Sequence, residues 1–362
     1  MLKGPLHNVP PCVSYVVMLR ELGVKVHVIT EVCANETVQL IEKSGATIEI
    51  IGNQKKGNSL LNKIFYWVRY RRTMIKAIKL NYNEDDCIWL GDAGSSIALS
   101  GFINSKKYVM TSLELYDDNA FYKSRLSKVV LDAQLVVVCE LNRARVMKRW
   151  YGLKEMPTIM PNKPFYDMKQ EKCDSVVKFI NELQDKPFIL YQGVVHKERT
   201  LDNIAMALRM TNSDMPLVVI GKSAANDERA VIEHLQNIYS NTIYGGYFPA
   251  PQHLYITKKA HIGIAFYDDS SLNTIFCAPN KIFEYSKFNV PILGNNIPGL
   301  QLTVEKHGAG LCPDMNSPEE IAEAIKNILN NYEKFQKGAE SLYNSVDNLK
   351  TMKNIVERLQ LN

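Results

Sequence analysis

Hydrophobic and polar positions along the chain follow two periods that take turns. Pro10-Pro11 opens a stretch in which Val13, Val16, Val17 and Leu19 recur at helical spacing up to Gly23, and proline suits a first helical turn. Val24, Val26 and Val28 then alternate with polar residues, the two-residue period of a strand. A polar-capped helix over 35–43, closed by Gly45, and a strand over 47–51 follow. The reading continues with helices over 60–80, 95–103, 120–132 and 142–151, and strands over 87–90, 108–113, 135–139 and 158–160. Alternation at these lengths predicts a parallel sheet with helices on both faces.

Residues 161–174 hold two prolines and no hydrophobic period, which reads as a linker. A second series begins beyond it, with strands over 188–191, 217–220, 242–244, 262–266, 291–293 and 310–312. The helices between them span 200–210, 227–239, 251–260, 279–287 and 318–331, and a helical tail covers 332–362. The fold class is therefore α/β, with two Rossmann-like doubly wound domains, 1–165 and 175–340, followed by a helix over 341–362. One element is expected to be missing. The strand before the first helix of a doubly wound sheet is central, yet only Met1, Leu2 and Lys3 precede Gly4-Pro5. The first strand thus reads as absent from this chain, with a natural start about ten residues upstream.

Length agrees with two domains at roughly 100–200 residues each. Apolar runs are strand-sized, far short of the roughly 18–20 residues that cross a bilayer. Seven cysteines with no C-x-x-C pair argue against a disulfide framework and a structural zinc site, and point to a reducing cytoplasm. The net charge of +5 is too mild to predict nucleic-acid binding. Its distribution says more: no acidic residue lies between Glu49 and Glu84, a stretch that holds eight Lys and Arg. In the predicted helix over 62–80, Arg69, Arg72, Lys76 and Lys79 share one face beside an apolar stripe of Ile64, Val68, Ile75 and Ile78, with Tyr66, Trp67 and Tyr70 on the remaining side. This suits the surface of an anionic membrane; an ordinary domain helix with a solvated basic face fits equally.

The strongest local signal is Cys277-Ala278-Pro279-Asn280-Lys281-Ile282-Phe283-Glu284-Tyr285-Ser286, with Pro291-Ile292 after it. Proline at the first turn marks a helix N-terminus, an anion site to which Lys281 adds a charge. Glu284 falls one turn further on the same face, where a carboxylate accepts hydrogen bonds from vicinal hydroxyls such as a ribose diol. The bland alternative is a capped helix with an exposed Lys281–Glu284 pair.

This run resembles the donor-site helix of GT-B glycosyltransferases, specifically the retaining family 4, or glycosyl transferases group 1. Tyr191-Gln192-Gly193 with Arg199 and Leu201, Glu140-Leu141-Asn142-Arg143-Ala144, and Pro161-Asn162-Lys163-Pro164 extend the resemblance over most of the chain. It implies two domains facing a cleft and a C-terminal helix that returns to the first domain. It further implies that Gly193 lets the backbone approach donor phosphates, that Arg199 and Lys281 contact the diphosphate as catalytic charges, and that Glu284 holds the ribose. Asn280, in the motif, and Asn273 join the donor-binding set. Two positions depart from the family: Phe276 stands where an acidic residue is usual, and Val194 where an arginine is. Asn273, Asp268 and Asp269 are the nearest polar substitutes.

The activity implied is transfer of a sugar, with retention and without metal or cofactor, from a nucleotide-diphosphate sugar to a saccharide or lipid-linked saccharide in bacterial surface-polysaccharide assembly. Glu114 or Asp92, on loops after first-domain strands, would position the acceptor hydroxyl, or each is a solvated carboxylate; His7 reads as a turn residue. The work would be done in the cytoplasm, at the inner face of the membrane. Competing readings are a catalytically silent GT-B partner subunit and a sugar-nucleotide epimerase.

Overall fold

Leu135–Val138 and Leu217–Ile220 are buried along their whole length, as strands covered by helices on both faces must be. The computed structural model describes residues 1–52, 59–165, 172–195, 201–211, 214–223 and 225–361. The chain divides into two units, Met1–Tyr166 with Asp347–Asn362, and Asp167–Val346.

The first unit contains β1 (Leu2–Pro5), α1 (Pro10–Glu21), β2 (His27–Val32), α2 (Asn35–Lys43), β3 (Thr47–Ile50), α3 (Leu60–Asn81), β4 (Ile88–Leu90), α4 (Ala93–Leu99), β5 (Tyr108–Ser112), α5 (Ala120–Asp132), β6 (Leu135–Val138), α6 (Leu141–Tyr151) and β7 (Thr158–Ile159). Parallel pairing runs β1-β2-β3 and β4-β5-β6-β7. Met1 ties the two sheets: its ammonium donates to the Trp89 carbonyl at 2.7 Å, and its carbonyl accepts from the Gly91 N–H at 2.7 Å. The expectation that the first strand is missing is thereby corrected. Leu2 pairs with Thr30 and Pro5 with Val32, so the Gly4-Pro5 pair that reads as a loop is the end of a strand. Gly4 can serve there because its N–H is taken up by the Glu31 carboxylate at 2.7 Å.

The second unit contains α7 (Asp174–Glu182), β8 (Ile189–Gln192), α8 (Leu201–Met210), β9 (Leu217–Ile220), α9 (Glu228–Ile238), β10 (Thr242–Gly246), α10 (Leu254–Thr257), β11 (Ile262–Ala265), α11 (Leu272–Ile275), α12 (Asn280–Ser286), β12 (Ile292–Gly294), α13 (Pro298–Leu300), β13 (Gly310–Leu311), α14 (Pro318–Asn330) and α15 (Tyr332–Asn344). Its sheet is parallel in the order β10-β9-β8-β11-β12-β13. The chain winds outward from β8 in one direction and from β11 in the other, so the switch point lies between them, where doubly wound sheets bind ligands beyond the strands' C-terminal ends. Gly263 on β11 matters to that crevice: a Cβ there would lie 2.4 Å from the Tyr285 ring. Its absence lets α12 seat on the sheet, with the Tyr285 hydroxyl within 3.1 Å of the Leu190 carbonyl and 3.2 Å of the Ile264 carbonyl.

The tail read as one helix is two. After α15 the chain breaks, Asp347 accepts from the Lys350 N–H at 2.9 Å, and α16 (Asn348–Leu359) starts. Met352, Ile355 and Leu359 of α16 share a core with Tyr15, Met18 and Leu19 of α1, in the first unit. Among the described residues, no helix is long and apolar enough to cross a membrane.

Candidate functional site

Gly193 follows β8 at the switch point with φ +138°, a conformation open to glycine and strained for other residues. Above it stands the Lys281 ammonium, 3.4 Å from where a Gly193 Cβ would be. The same ammonium lies 4.7 Å from the Tyr191 ring centroid and 5.3 Å from that of Tyr267, within range of both π faces. Tyr267, just past β11, is held by Asn295, whose Oδ1 accepts from the Tyr267 N–H at 2.9 Å and whose Nδ2 donates to its carbonyl at 2.8 Å. Lys281 is thus aimed at the strand ends by aromatic walls that no local pattern reveals.

Glu284 is only 8% exposed. Gln192, the last residue of β8, donates to Glu284 Oε2 at 2.6 Å and accepts from the Thr257 hydroxyl at 2.7 Å. His253 Nε2 lies 3.5 Å from the same carboxylate oxygen. The alternative of an exposed Lys281–Glu284 pair is therefore set aside. A buried carboxylate must be hydrogen-bonded, and here the partners gather on Oε2, while among the described residues nothing bonds Oε1. Gln192 and His253 were not singled out from the sequence; the one available signal is that Gln192 directly precedes Gly193.

Asn280 is the first residue of α12 and Asn273 lies in α11. Asp268, in the loop after β11, accepts from the Ser270 N–H at 3.1 Å and from the Ser270 hydroxyl. Burial by itself would raise its pKa, but hydrogen bonds from Ser270 and Thr274 outweigh it and hold the carboxyl below the usual range. Arg199 lies outside the described residues.

A conformationally special glycine, a cation and a held carboxylate at a doubly wound switch point form an arrangement suited to a phosphorylated diol, and residues 175–344 match the family model of glycosyl transferases group 1. That segment is similar to glycosyl transferases group 1 domains. No curated protein matches the chain. Among solved structures, it is similar to Anabaena HepE, solved in complex with UDP and glucose (14% identity, TM-score 0.69, 97% of this chain and 95% of that one). It is also similar to a glycosyltransferase from Rickettsia africae (14%, TM-score 0.70, 99% and 96%) and to sucrose-phosphate synthase from Thermosynechococcus elongatus (14%, TM-score 0.65, 93% and 94%). At this identity the likeness establishes the fold, GT-B, over nearly the whole chain.

In the matched segment the two departures occupy different settings. Val194 is half exposed, and its carbonyl accepts from the Tyr191 hydroxyl at 2.7 Å. Phe276 is partly buried at the end of α11.

In the first unit the predicted carboxylates part company. Asp92 caps α4, accepting from Gly94 N–H at 3.0 Å and Ser95 N–H at 3.2 Å, and from the Lys3 N–H of β1 at 3.0 Å. Three backbone donors give it a full structural task, contrary to a solvated loop carboxylate. Glu114 is half exposed, and its Oε2 lies 3.7 Å from a guanidinium nitrogen of Arg143, itself buried on α6. His7 accepts from the Ala34 N–H at 3.0 Å. The carboxylate that the sequence reading missed is Glu31. It is buried at the end of β2 and accepts from the Tyr66 hydroxyl of α3 at 2.9 Å. A charged residue closing the run Val28-Ile29-Thr30 is the signal that could have found it.

Proposed function

We propose that this protein is a glycosyltransferase that takes a sugar from a nucleotide-diphosphate donor and passes it, with retention, to a saccharide or lipid-linked saccharide acceptor. The observation that carries the reading is the pairing on α12 of Lys281, poised over Gly193, with Glu284, buried and held by Gln192. In this reading the diphosphate lies along Gly193 against Lys281, with Arg199 as a second charge, and Glu284 Oε1 accepts from a ribose hydroxyl. Asn280 and Asn273 complete the donor contacts. UDP in the solved complex of the similar HepE makes uridine the first base to test.

Chemistry then needs no protein nucleophile. The bond between the sugar's anomeric carbon and the β-phosphate oxygen breaks, and the acceptor oxygen bonds to the same face of that carbon. The acceptor's proton passes to the departing phosphate oxygen. The protein's part is to stabilise charge developing on the diphosphate as the sugar gains oxocarbenium character. Glu114 orients the acceptor hydroxyl in this scheme.

The lipid-linked acceptor is favoured by α3. Leu60, Leu61, Ile64, Phe65 and Val68 are exposed near its N-terminus, Phe65 by 69%, while Lys63, Arg69, Arg72 and Lys76 are exposed beside them. The buried face is Tyr66, Tyr70, Met74, Ala77 and Ile78. The expected stripe is therefore corrected: Ile78 is buried with Tyr66, which bonds Glu31, and Tyr70, while Ile64 and Val68 stay exposed and free to meet an anionic lipid surface. In this reading the enzyme works at the cytoplasmic face of a bacterial membrane, in surface-polysaccharide assembly.

Calorimetric titration with nucleoside diphosphates, followed by a donor-hydrolysis assay, tests the proposal. Binding of one base with release of its diphosphate from the sugar donor is expected; no binding of any of them would sink it.

A further inference from the structure

The first unit has a switch point of its own. From β1 the chain winds outward to β2 and β3, and from β4 outward to β5, β6 and β7, while the Lys3 N–H of β1 bonds Asp92, just after β4, at 3.0 Å. The crevice beyond the C-terminal ends of β1 and β4 is where a doubly wound sheet takes a ligand. Two groups of aromatic side chains border it, and the donor reading uses neither. In the first, from α3, the Lys3 ammonium lies 4.9 Å from the Tyr66 ring centroid and 4.7 Å from that of Trp67. Gly94 makes room for it, since a Cβ there would lie 2.9 Å from Lys3 Cδ and 2.7 Å from Asp92 Oδ2. In the second, Tyr116 of the β5–α5 loop stacks on Tyr122 of α5, with centroids 4.8 Å apart and planes 20° off parallel. The exposed Phe121 meets Tyr122 edge-on at 6.0 Å. Burial raises the pKa of the Tyr66, Tyr116 and Tyr122 hydroxyls most, and the Asp92 charge adds to it in all three, so both groups share one carboxylate at the switch point.

Tyr116 is held at a conformational cost. Its φ is +59°, the left-handed region that a bulky side chain avoids. The loop around it is braced on both sides: Leu115 is buried, the Ser112 hydroxyl donates to the Glu114 carbonyl at 2.7 Å, and the Arg143 guanidinium donates to the Leu113 carbonyl. Strain of this kind persists where the surroundings over-determine it, and it gathers at ligand sites. The same brace fixes Glu114, two residues before the strained ring, half exposed and with Oε2 3.7 Å from Arg143. An aromatic face beside a carboxylate suits a sugar: the C–H face of a pyranose packs on the ring, and its hydroxyls donate to an acceptor-only carboxylate.

We propose that the Tyr116–Tyr122 stack is the platform on which an uncharged pyranose of the acceptor lies, with Glu114 accepting from one of its hydroxyls; this rests on the transferase reading above. Charge selects the class of sugar. Around the switch point the carboxylates Glu31, Asp92 and Glu114 outnumber the cations Lys3 and Arg143, and these two are turned to the α3 rings and to Glu114. A phosphate or a uronate on the stack would therefore meet more repulsion than attraction, whereas a neutral ring with several hydroxyls supplies the donors that carboxylates need.

Saturation-transfer NMR on the full chain in the presence of UDP tests this. The uncharged probes are methyl glucoside, methyl galactoside, methyl mannoside and methyl N-acetylglucosaminide; glucose 6-phosphate and methyl glucuronide are the charged ones. At least one uncharged probe is expected to bind, with saturation strongest on the C–H protons of one ring face. Tyr116→Asn removes the ring and leaves a residue that tolerates the left-handed backbone, and it should weaken that probe about threefold to tenfold. Tyr122→Leu should do the same, and it carries the test if Tyr116→Asn does not fold. Tighter binding of either charged probe, or glycoside affinity unchanged in both variants, would overturn the proposal. So would binding of UDP without binding of any glycoside, an outcome that leaves the transferase reading standing. Glycoside binding that the variants weaken, in a protein that binds no nucleoside diphosphate, would uphold the platform and remove the transferase reading instead.

Discussion

Gln192 Nε2 donates to Glu284 Oε2 at 2.6 Å, and both side chains are buried. A strand end and a helix 92 positions further along are thereby joined at the one point where the helix carboxylate must be aimed. Replacing Gln192 by Leu leaves that carboxylate buried with one donor fewer. A hydrogen bond to a charged group contributes about 1.5–3 kcal/mol, so nucleoside diphosphate affinity should fall roughly tenfold to a hundredfold. Calorimetry on Gln192→Leu and Glu284→Gln checks it; unchanged affinity in both would remove Glu284 from the donor site.

Lys281 is the charge expected to stabilise the departing diphosphate. Lys281→Met should lower the rate of sugar release by about 10²–10³, with the circular dichroism spectrum and Tm close to those of the parent. Full activity in this variant would mean that the charge over Gly193 takes no part in the transition state.

Asp92 and Glu114 should separate cleanly. Asp92→Ala removes the acceptor of three backbone N–H groups and should lower stability by about 1–2 kcal/mol, read by denaturant unfolding. Glu114 is half exposed, so Glu114→Gln should leave stability unchanged and lower transfer to acceptor more than donor hydrolysis. Retained transfer would exclude Glu114 as the group that orients the acceptor.

Exposed apolar residues on α3 predict sedimentation with vesicles rich in phosphatidylglycerol and little with phosphatidylcholine alone. Each nearby Lys or Arg contributes roughly 1 kcal/mol at an anionic surface, so binding should weaken as salt rises. Leu61→Asp with Phe65→Asp should abolish it without altering donor hydrolysis. Binding that survives the double change would place the contact elsewhere.

His261 supplies a pH dependence in the second unit. Burial lowers its pKa from 6.5, against a smaller opposing backbone hydrogen bond; its ring stacks on Tyr332 and its Nδ1 is buried without a partner. The unfolded chain therefore takes up the proton at higher pH than the folded one. The stabilising contribution is complete above about 6.5 and is lost as pH falls from there to the folded value. Tm should drop between pH 7.5 and 5, and His261→Gln should flatten that part of the curve; an identical slope in the variant would assign it to another group.

The alternation of periods made the α/β character of both units legible, because a strand buried on two faces must be apolar throughout and a helix must carry one apolar face. Leu135–Val138 and Leu217–Ile220 needed nothing else. Proline and glycine likewise marked α12 and Gly193, since backbone conformation at those residues is a local matter. On α3 the same arithmetic chose the wrong stripe. Tyr66 faces inward, where its hydroxyl donates to the buried Glu31 35 positions away, and Tyr70 is buried one turn further along the same face.

The chain's own pattern was thus enough for two α/β units and for a candidate donor helix carrying Lys281 and Glu284. Tertiary structure alone decided that Glu284 is held by Gln192, that Asp92 caps α4, and that Leu2–Pro5 is a strand. Periodicity records which side of an element avoids water; hydrogen-bond partners far apart in the chain are chosen only when the sheets bring their ends together.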